Sequence, residues 1–215
     1  MTKKLTTPYL PNIKGLDPDQ TIQLLEDSGS RQSIGYANWP DVFPYQPITV
    51  FNIARDDERI YVHYSVHGNC LRALYTEDQS QVWTDSCVEF FLQVPGDLNY
   101  FNFEFNCIGT CYAAKRESRA NFTLLTSDEL SQITRHANLG RRPFQEMQGS
   151  FNWDLLISIP FSLIGLDGAN LPEKITGNFY KCADETALPH FLSWSPIVTP
   201  KPDFHCPEFF GEIYF

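Results

Sequence analysis

The sequence predicts an all-β fold, a β-sandwich of two antiparallel sheets with one or two short helices. Several runs alternate apolar with polar residues, a period of two that only an extended strand satisfies. Only two short stretches carry helical signals, and no strand and helix patterns alternate as βαβ units require. The 17 Phe, 10 Tyr and 4 Trp among 215 residues are also typical of strands.

Composition predicts one domain over residues 1–215, because no linker, like-charge run or fixed-period repeat divides the chain. Residues 1–35 are expected to be an N-terminal extension and residues 126–140 a helical insertion. The net charge of −10 and pI near 4.9 argue against nucleic-acid partners, which need clustered Lys and Arg. They fit neutral or cationic ligands. No apolar stretch approaches the length of a membrane span, and nothing in the sequence indicates an oligomeric state.

The first predicted elements are a helix and two strands. Asp17 supplies an N-cap, Pro18 occupies the first helical position, and Gly29 ends the helix. Residues 48–54 and 59–66 then predict two strands joined by a polar turn.

Residues 87–94 and 99–107 predict a β-hairpin around the turn that begins at Pro95. Pairing Val94 with Asn99 places apolar side chains opposite apolar ones throughout. The pairs expected from this register are Val88 with Phe105, Phe90 with Phe103, and Leu92 with Phe101.

The other face of that hairpin is polar in the same register. Glu89 lies directly opposite Glu104, and two carboxylates placed this way repel each other. A cation, a shared proton, open solvent or a ligand rich in hydroxyl donors would offset the repulsion. A solvated outer face and a ligand platform are therefore both consistent with it. Its members are Trp83, Asp85, Glu89, Asn102, Glu104 and Asn106.

The second half of the chain predicts one more helix and three strands. Thr126 to Glu129 form a capping-box pattern, and apolar residues at helical spacing extend a helix towards Gly140. Strands are predicted over 151–160, 175–182 and 209–215. Of the tryptophans in the chain, Trp153 is predicted to lie in the core and Trp39 to pack beside Pro40.

The six cysteines contain no CxxC pair, which argues against a structural zinc site and favours free thiols. Cys107 and Cys111 are the one candidate disulfide. No export signal follows the basic start, so we expect a cytoplasmic protein, or an extracellular one if a leader is missing.

The sequence contains no recognisable catalytic or cofactor-binding motif. The five histidines show no paired spacing, and no nucleophile elbow, P-loop or dinucleotide fingerprint is present. No cofactor is firmly predicted. Acidic residues on loops offer oxygen ligands for structural calcium, but no EF-hand spacing exists and solvated loops explain them better. These residues are Asp184, Glu185, Asp203 and Glu208.

One ordered series of motifs resembles the family 9 carbohydrate-binding modules and spans roughly residues 36–215. It consists of Trp83, the segment DSCVEFFL (85–92), Trp153, IPF (159–161), GNF (177–179), Trp194 and the ending FHCPEFFGEIYF (204–215). The order of these pieces carries the resemblance more than any single piece.

The resemblance implies a non-catalytic β-sandwich that clamps a sugar, often at a chain end, between two tryptophans, with calcium in structural roles. Trp83 and Trp194 match the clamp positions. Glu89 matches an acidic group that accepts sugar hydroxyls, and Asn106 matches a polar partner on the next strand. Glu104 stands where the family pattern implies an arginine, which leaves the sugar preference open. A carbohydrate, monomeric or oligomeric, is thus the expected partner.

Two other functions remain as alternatives. Related sandwich domains hold heme through Met and His, and here only Met147 and the start methionine are available. A structural or interaction domain that has lost the clamp is the other. The facing carboxylates of Glu89 and Glu104 also keep a glycosidase open as a remote option.

Overall fold

The computed structural model describes residues 2–215, and in this part of the chain fourteen strands and two α-helices are present. The helices are α1 (Pro18–Ser28) and α2 (Ser127–Ser131). The strands are β1 Lys4–Thr6, β2 Ser30–Ser33, β3 Tyr36–Ala37, β4 Ile48–Arg55, β5 Arg59–Ala73, β6 Cys87–Gln93, β7 Tyr100–Asn106, β8 Cys111–Arg116, β9 Phe122–Leu124, β10 Thr134–Ala137, β11 Phe144–Pro160, β12 Lys174–Cys182, β13 Phe191–Ser193 and β14 Gly211–Tyr214.

Two sheets pack face to face, which confirms the predicted sandwich. The nine-stranded sheet has the order β1-β14-β12-β6-β7-β8-β9, and β13 extends it by pairing with β12 and β3. The five-stranded sheet has the order β10-β11-β5-β4-β2. The strands pair antiparallel except that β1 runs parallel to β14. No helix within residues 2–215 is long and apolar enough to cross a membrane.

The predicted hairpin and its register are confirmed in β6 and β7. Val88 lies opposite Phe105 and Phe90 opposite Phe103, and all four side chains are fully buried. Phe179 of β12 joins the sheets, because its ring stacks on Phe90 with centroids 4.4 Å apart and on Phe51 of β4 at 3.9 Å. Burying each such side chain contributes about 2 kcal/mol, so this alternating face drives the packing of the two sheets.

Helix α1 begins and ends where the sequence predicts. The Asp17 side chain accepts a hydrogen bond from the backbone N–H of Gln20, and the Gln20 side chain bonds back to the N–H of Asp17. At the other end the N–H of Gly29 donates to the carbonyl of Leu25 at 2.9 Å. A Cβ at Gly29 would lie 2.5 Å from that carbonyl oxygen, so a glycine is required for this close approach.

The helical insertion predicted over 126–140 is wrong beyond its first turn. The capping box between Thr126 and Glu129 is present, but α2 ends at Ser131. Residues Thr134–Ala137 instead form β10, which pairs with β11 at the edge of the five-stranded sheet. That edge offers backbone partners, and this tertiary pairing outweighs the local helical pattern.

Residues 2–35 contribute strands to both sheets. Strand β1 pairs with β14 in the nine-stranded sheet, and β2 pairs with β4 in the five-stranded sheet. The segment predicted as an extension is therefore a structural part of the sandwich.

All six cysteines are buried free thiols in this structure. The candidate disulfide between Cys107 and Cys111 is wrong, because Cys111 pairs with Phe105 in the β7–β8 register while Cys107 lies in the intervening turn. Trp153 and Trp39 are both buried, as predicted. The cellular location stays a prediction.

Candidate functional site

The outer face of the nine-stranded sheet is covered by aromatic loop segments. The ring of Phe204 stacks on Tyr180 of β12 with centroids 4.1 Å apart, and Trp39 and Phe191 pack around it. The solvated interpretation of this face is therefore wrong: Glu89 is 2% exposed and Glu104 is 4% exposed.

The loops leave one pocket of about 340 Å³ above β6, β7, β8 and β12. This volume lies at the lower end of the range of about 300–1,000 Å³ that is usual for small-molecule sites. It therefore favours a short ligand over a long one. Three of the predicted site residues, Trp83, Glu89 and Glu104, line this pocket together.

Two carboxyl groups form the floor of the pocket. Glu89 and Glu104 lie opposite each other on β6 and β7, as the sequence register predicts. Glu104 Oε1 accepts a hydrogen bond from Asn102 Nδ2 at 2.9 Å, and Glu89 Oε1 accepts one from the thiol of Cys182 at 3.0 Å. Neither carboxyl has an ion-pair partner within residues 2–215.

Burial disfavours the charged form of both groups. Burial raises the pKa of Glu104 to about 7, although the hydrogen bond from Asn102 and the charge of Arg116 oppose the rise. Burial and then repulsion by Glu104 raise the pKa of Glu89 well above its usual value. The pair therefore holds a proton near neutral pH, so it can both donate and accept hydrogen bonds towards a ligand in the pocket.

Aromatic rings form the walls of the pocket. Trp83 is half-buried, and its ring meets Tyr112 of β8 edge-on with centroids 5.3 Å apart. Phe122 is 42% exposed and carries the guanidinium of Arg116 at 4.3 Å above its ring. Phe191 and Phe204 complete the apolar surface. Flat apolar rings beside buried polar groups suit a ligand with one apolar face and a polar rim.

Arg116 brings a positive charge into the same pocket from β8. Its Nε donates to Asn102 Oδ1 at 2.6 Å and its Nη2 donates to Tyr112 Oη at 3.1 Å. The family pattern implied an arginine at the position of Glu104, and the guanidinium of Arg116 lines the pocket from the neighbouring strand instead.

Asp184 and His205 lie at the rim of the pocket. Burial raises the pKa of Asp184 to about 6. Burial, with the charges of Arg116 and Arg119, lowers the pKa of His205 to about 3. The imidazole is thus neutral at physiological pH, and its Nδ1 is hydrogen-bonded to the hydroxyl of Tyr100 at 3.0 Å.

Asn106 does not line the pocket. Its Nδ2 donates to Asp85 Oδ2 at 2.9 Å and to the carbonyl of Tyr75 at 2.8 Å, and its Oδ1 accepts from the N–H of Thr110 at 2.9 Å. Through these bonds the side-chain amide of Asn106 caps the turn between β7 and β8. Its predicted role as a sugar partner is therefore wrong for this geometry. Asp85 is also fully buried and accepts backbone N–H bonds, including one from Leu74 at 3.0 Å.

Trp194 lies in the core between the two sheets, and its ring is fully buried. Its indole packs edge-on against Phe179 with centroids 5.8 Å apart, and its Nε1 donates to Gln32 Oε1 at 3.1 Å. The backbone N–H of Trp194 also bonds to the carbonyl of Phe179, which turns the side chain inward. The clamp predicted from Trp83 and Trp194 is therefore not formed by these two rings.

The sequence interpretation missed several residues of the pocket. Tyr112 lies opposite Glu104 and Arg116 opposite Tyr100, so extending the hairpin register by one more strand would have placed both on the polar face. Phe122 is brought in by the edge strand β9, Phe191 by the short strand β13 and Phe204 by a loop, and no periodic pattern marks them.

The acidic loop residues considered as possible calcium ligands do not form a calcium site. Glu185 bonds to Arg72 at 2.9 Å, while Asp203 lies 3.4 Å from Arg119 and accepts a bond from the N–H of His205. Asp184 lines the pocket. Within residues 2–215 these carboxylates do not converge on a common point, whereas calcium needs six or more oxygen ligands around one centre.

Comparison with known proteins decides the family. The family model described as carbohydrate-binding family 9 matches residues 19–215. The chain belongs to carbohydrate-binding family 9. A comparison with proteins of curated function finds no match.

Three solved structures are similar to this chain. A protein from Bacteroides uniformis ATCC 8492 to which carbohydrate binding is attributed is 34% identical, with 100% of both chains covered and a TM-score of 0.93. A family 9 module from Caldicellulosiruptor kristjanssonii in complex with glucose is 15% identical, with 99% of this chain and 95% of that chain covered and a TM-score of 0.57. The same module type in complex with cellotriose gives 14% identity, 99% and 93% coverage and a TM-score of 0.53. The latter two likenesses show the fold.

Proposed function

We propose that this family 9 domain binds a carbohydrate, without catalysis, in the pocket above β6, β7, β8 and β12. The observation that carries the proposal is the placement of the half-buried Trp83 ring beside Glu89 and Glu104, two buried carboxyls without ion-pair partners within residues 2–215. A pyranose presents an apolar CH face that packs on an indole and a rim of hydroxyls that bond to carboxyl groups.

The residue roles follow from the chemistry of the pocket. Trp83 stacks on the sugar face, and the hydroxyls bond to the carboxyls of Glu89 and Glu104. Arg116 donates to hydroxyl oxygens from the side. The second ring of a clamp comes from Phe122 or Phe191 in place of Trp194, since both rings line the pocket. Glucose and cellotriose, the ligands of the structural neighbours, are the first compounds to test.

Trp83→Ala is expected to weaken sugar binding by about 1–3 kcal/mol, or roughly 5- to 150-fold in Kd, because one stacked aromatic face is lost. Isothermal titration calorimetry with the tightest ligand found on a glycan array measures this. The matched control is Tyr36→Ala, which removes an exposed ring outside the pocket and should leave Kd unchanged. Equal affinity of Trp83→Ala and wild type would move the ligand site elsewhere.

Three measurements on the purified protein distinguish sugar binding from the alternative functions. A glycan array on which the folded wild type binds nothing would favour a structural or interaction domain. Release of reducing ends from a bound oligosaccharide, abolished in Glu89→Gln, would indicate a glycosidase. Met147, 41% exposed on β11, does not line the pocket, and Met1 lies outside the described residues. An absorption spectrum with a Soret band would support heme binding nevertheless.

A further inference from the structure

Two cysteines and a glutamate converge behind the floor of the pocket. Cys87 and Cys182 lie directly opposite each other on β6 and β12, and Glu89 follows Cys87 on the same face of β6. The thiol sulfur of Cys182 is 3.0 Å from Glu89 Oε1, and that of Cys87 is 4.0 Å from the same oxygen. All three donor atoms lie within 4.8 Å of one another.

This donor set matches the needs of a thiophilic metal ion. In tetrahedral zinc sites the sulfur ligands lie about 2.3 Å and carboxylate oxygens about 2.0–2.2 Å from the metal, which places the ligands about 3.5–3.8 Å apart. The three donors need only small movements to reach that geometry. Among residues 2–215 no other group of three His, Cys, Asp or Glu side chains converges this closely.

The surroundings favour a charged metal complex. The buried ammonium of Lys181 donates to the carbonyl of Cys182 at 2.7 Å from the opposite face of β12. Two thiolates, one carboxylate and Zn²⁺ carry a net charge of −1, which the ammonium form of Lys181 would balance, although burial lowers the pKa of that amine. Without metal, burial raises the pKa of the Cys87 thiol to about 12 and raises the pKa of Cys182 and of Glu89 well above their usual values. Zinc binding must therefore displace both thiol protons and the proton of the Glu89 carboxyl into solvent.

We propose that Cys87, Glu89 and Cys182 form a zinc-binding site at the base of the pocket. Glu89 and Cys182 line the pocket while Cys87 lies behind them, so the fourth coordination position of the metal faces the pocket. A water molecule or a ligand hydroxyl occupies that position. The site stands on its own donors and does not depend on the proposed sugar binding.

Zinc titration of the chelator-treated wild type, kept reduced with a phosphine, tests the site in competition with a chromophoric chelator. One equivalent should bind, with an affinity that rises with pH because protons are released. Cys87→Ser and Cys182→Ser should each weaken zinc binding at least tenfold. Cys70→Ser, which changes a buried thiol outside the cluster, is the matched control and should bind zinc as the wild type does.

X-ray absorption spectroscopy of the zinc-loaded wild type identifies the metal ligands directly, so this test does not depend on whether the cysteine variants fold. Two sulfur ligands at about 2.3 Å would support the site, whereas a shell of nitrogen and oxygen ligands alone would overturn it. Failure of the reduced wild type to bind zinc, or unchanged affinity in folded Cys87→Ser and Cys182→Ser, would overturn it as well. Sugar affinity is measured separately, so loss of one proposal leaves the other untouched.

Discussion

Trp194→Ala is expected to lower the free energy of unfolding by about 3–5 kcal/mol, the cost of removing a large aromatic side chain from a core. The indole is fully buried between the sheets. It packs so closely on Gly211 that a Cβ there would lie 2.3 Å from the ring. The backbone around the indole cannot move far enough to fill the space that the ring leaves, so a cavity should remain in the core. Urea denaturation followed by fluorescence measures the change.

Trp83→Ala is the comparison for that result. Its ring is half-buried at the pocket, so its removal should cost clearly less stability than the removal of Trp194 while weakening sugar binding. A Trp194→Ala protein that keeps wild-type stability but loses the sugar would restore the two-tryptophan clamp and contradict the core position described above.

Glu104→Gln is expected to gain stability relative to wild type as the pH rises from 5 to 8, by on the order of 3 kcal/mol. Burial raises the pKa of Glu104 from 4.5 to about 7 in the folded protein. Between those two values the folded state therefore holds more protons than the unfolded state, and wild-type stability falls as the pH rises. Glutamine carries no such proton. Ionised Glu104 also repels Glu89. The substitution removes this repulsion, which further increases the stability of the variant relative to wild type at high pH.

Urea denaturation of both proteins at several pH values tests this, since subtracting the two curves cancels the titration of groups that do not interact with Glu104. Glu173→Gln, an exposed carboxyl outside the pocket, is the control and should show no such pH dependence. A stability difference between Glu104→Gln and wild type that stays constant from pH 5 to 8 would mean that Glu104 is solvated and charged throughout.

Local patterns sufficed for the elements whose partners are close in the chain. The register of β6 and β7 followed from the alternation of Phe101, Phe103 and Phe105, because a shift by one residue would turn every apolar side chain outward. Helix α1 followed from Asp17 and Gly29, whose capping bonds are made within one turn. The facing of Glu89 and Glu104 followed from the same register.

The failures share a different origin. Residues 134–137 have a helical pattern but pair with residues 155–158 of β11, and the spacing of their own side chains does not reveal that pairing. Trp194 matches a clamp position in the ordered series of motifs, and only the packing against Phe179 shows that its ring lies in the core. For the polar hairpin face a solvated surface and a ligand platform both stayed open, because no local pattern indicates the loops that cover it.

By itself, the sequence determined the sandwich, the hairpin register and the family, since these rest on period-two alternation, on turns and on the order of motifs along the chain. The tertiary structure decided which residues meet. Arg116 reaches the pocket by strand pairing, Phe204 by loop closure, and Cys182 faces Cys87 across 95 positions of sequence. Contacts of this kind depend on packing free energies summed over distant segments, and no single stretch of sequence carries that information.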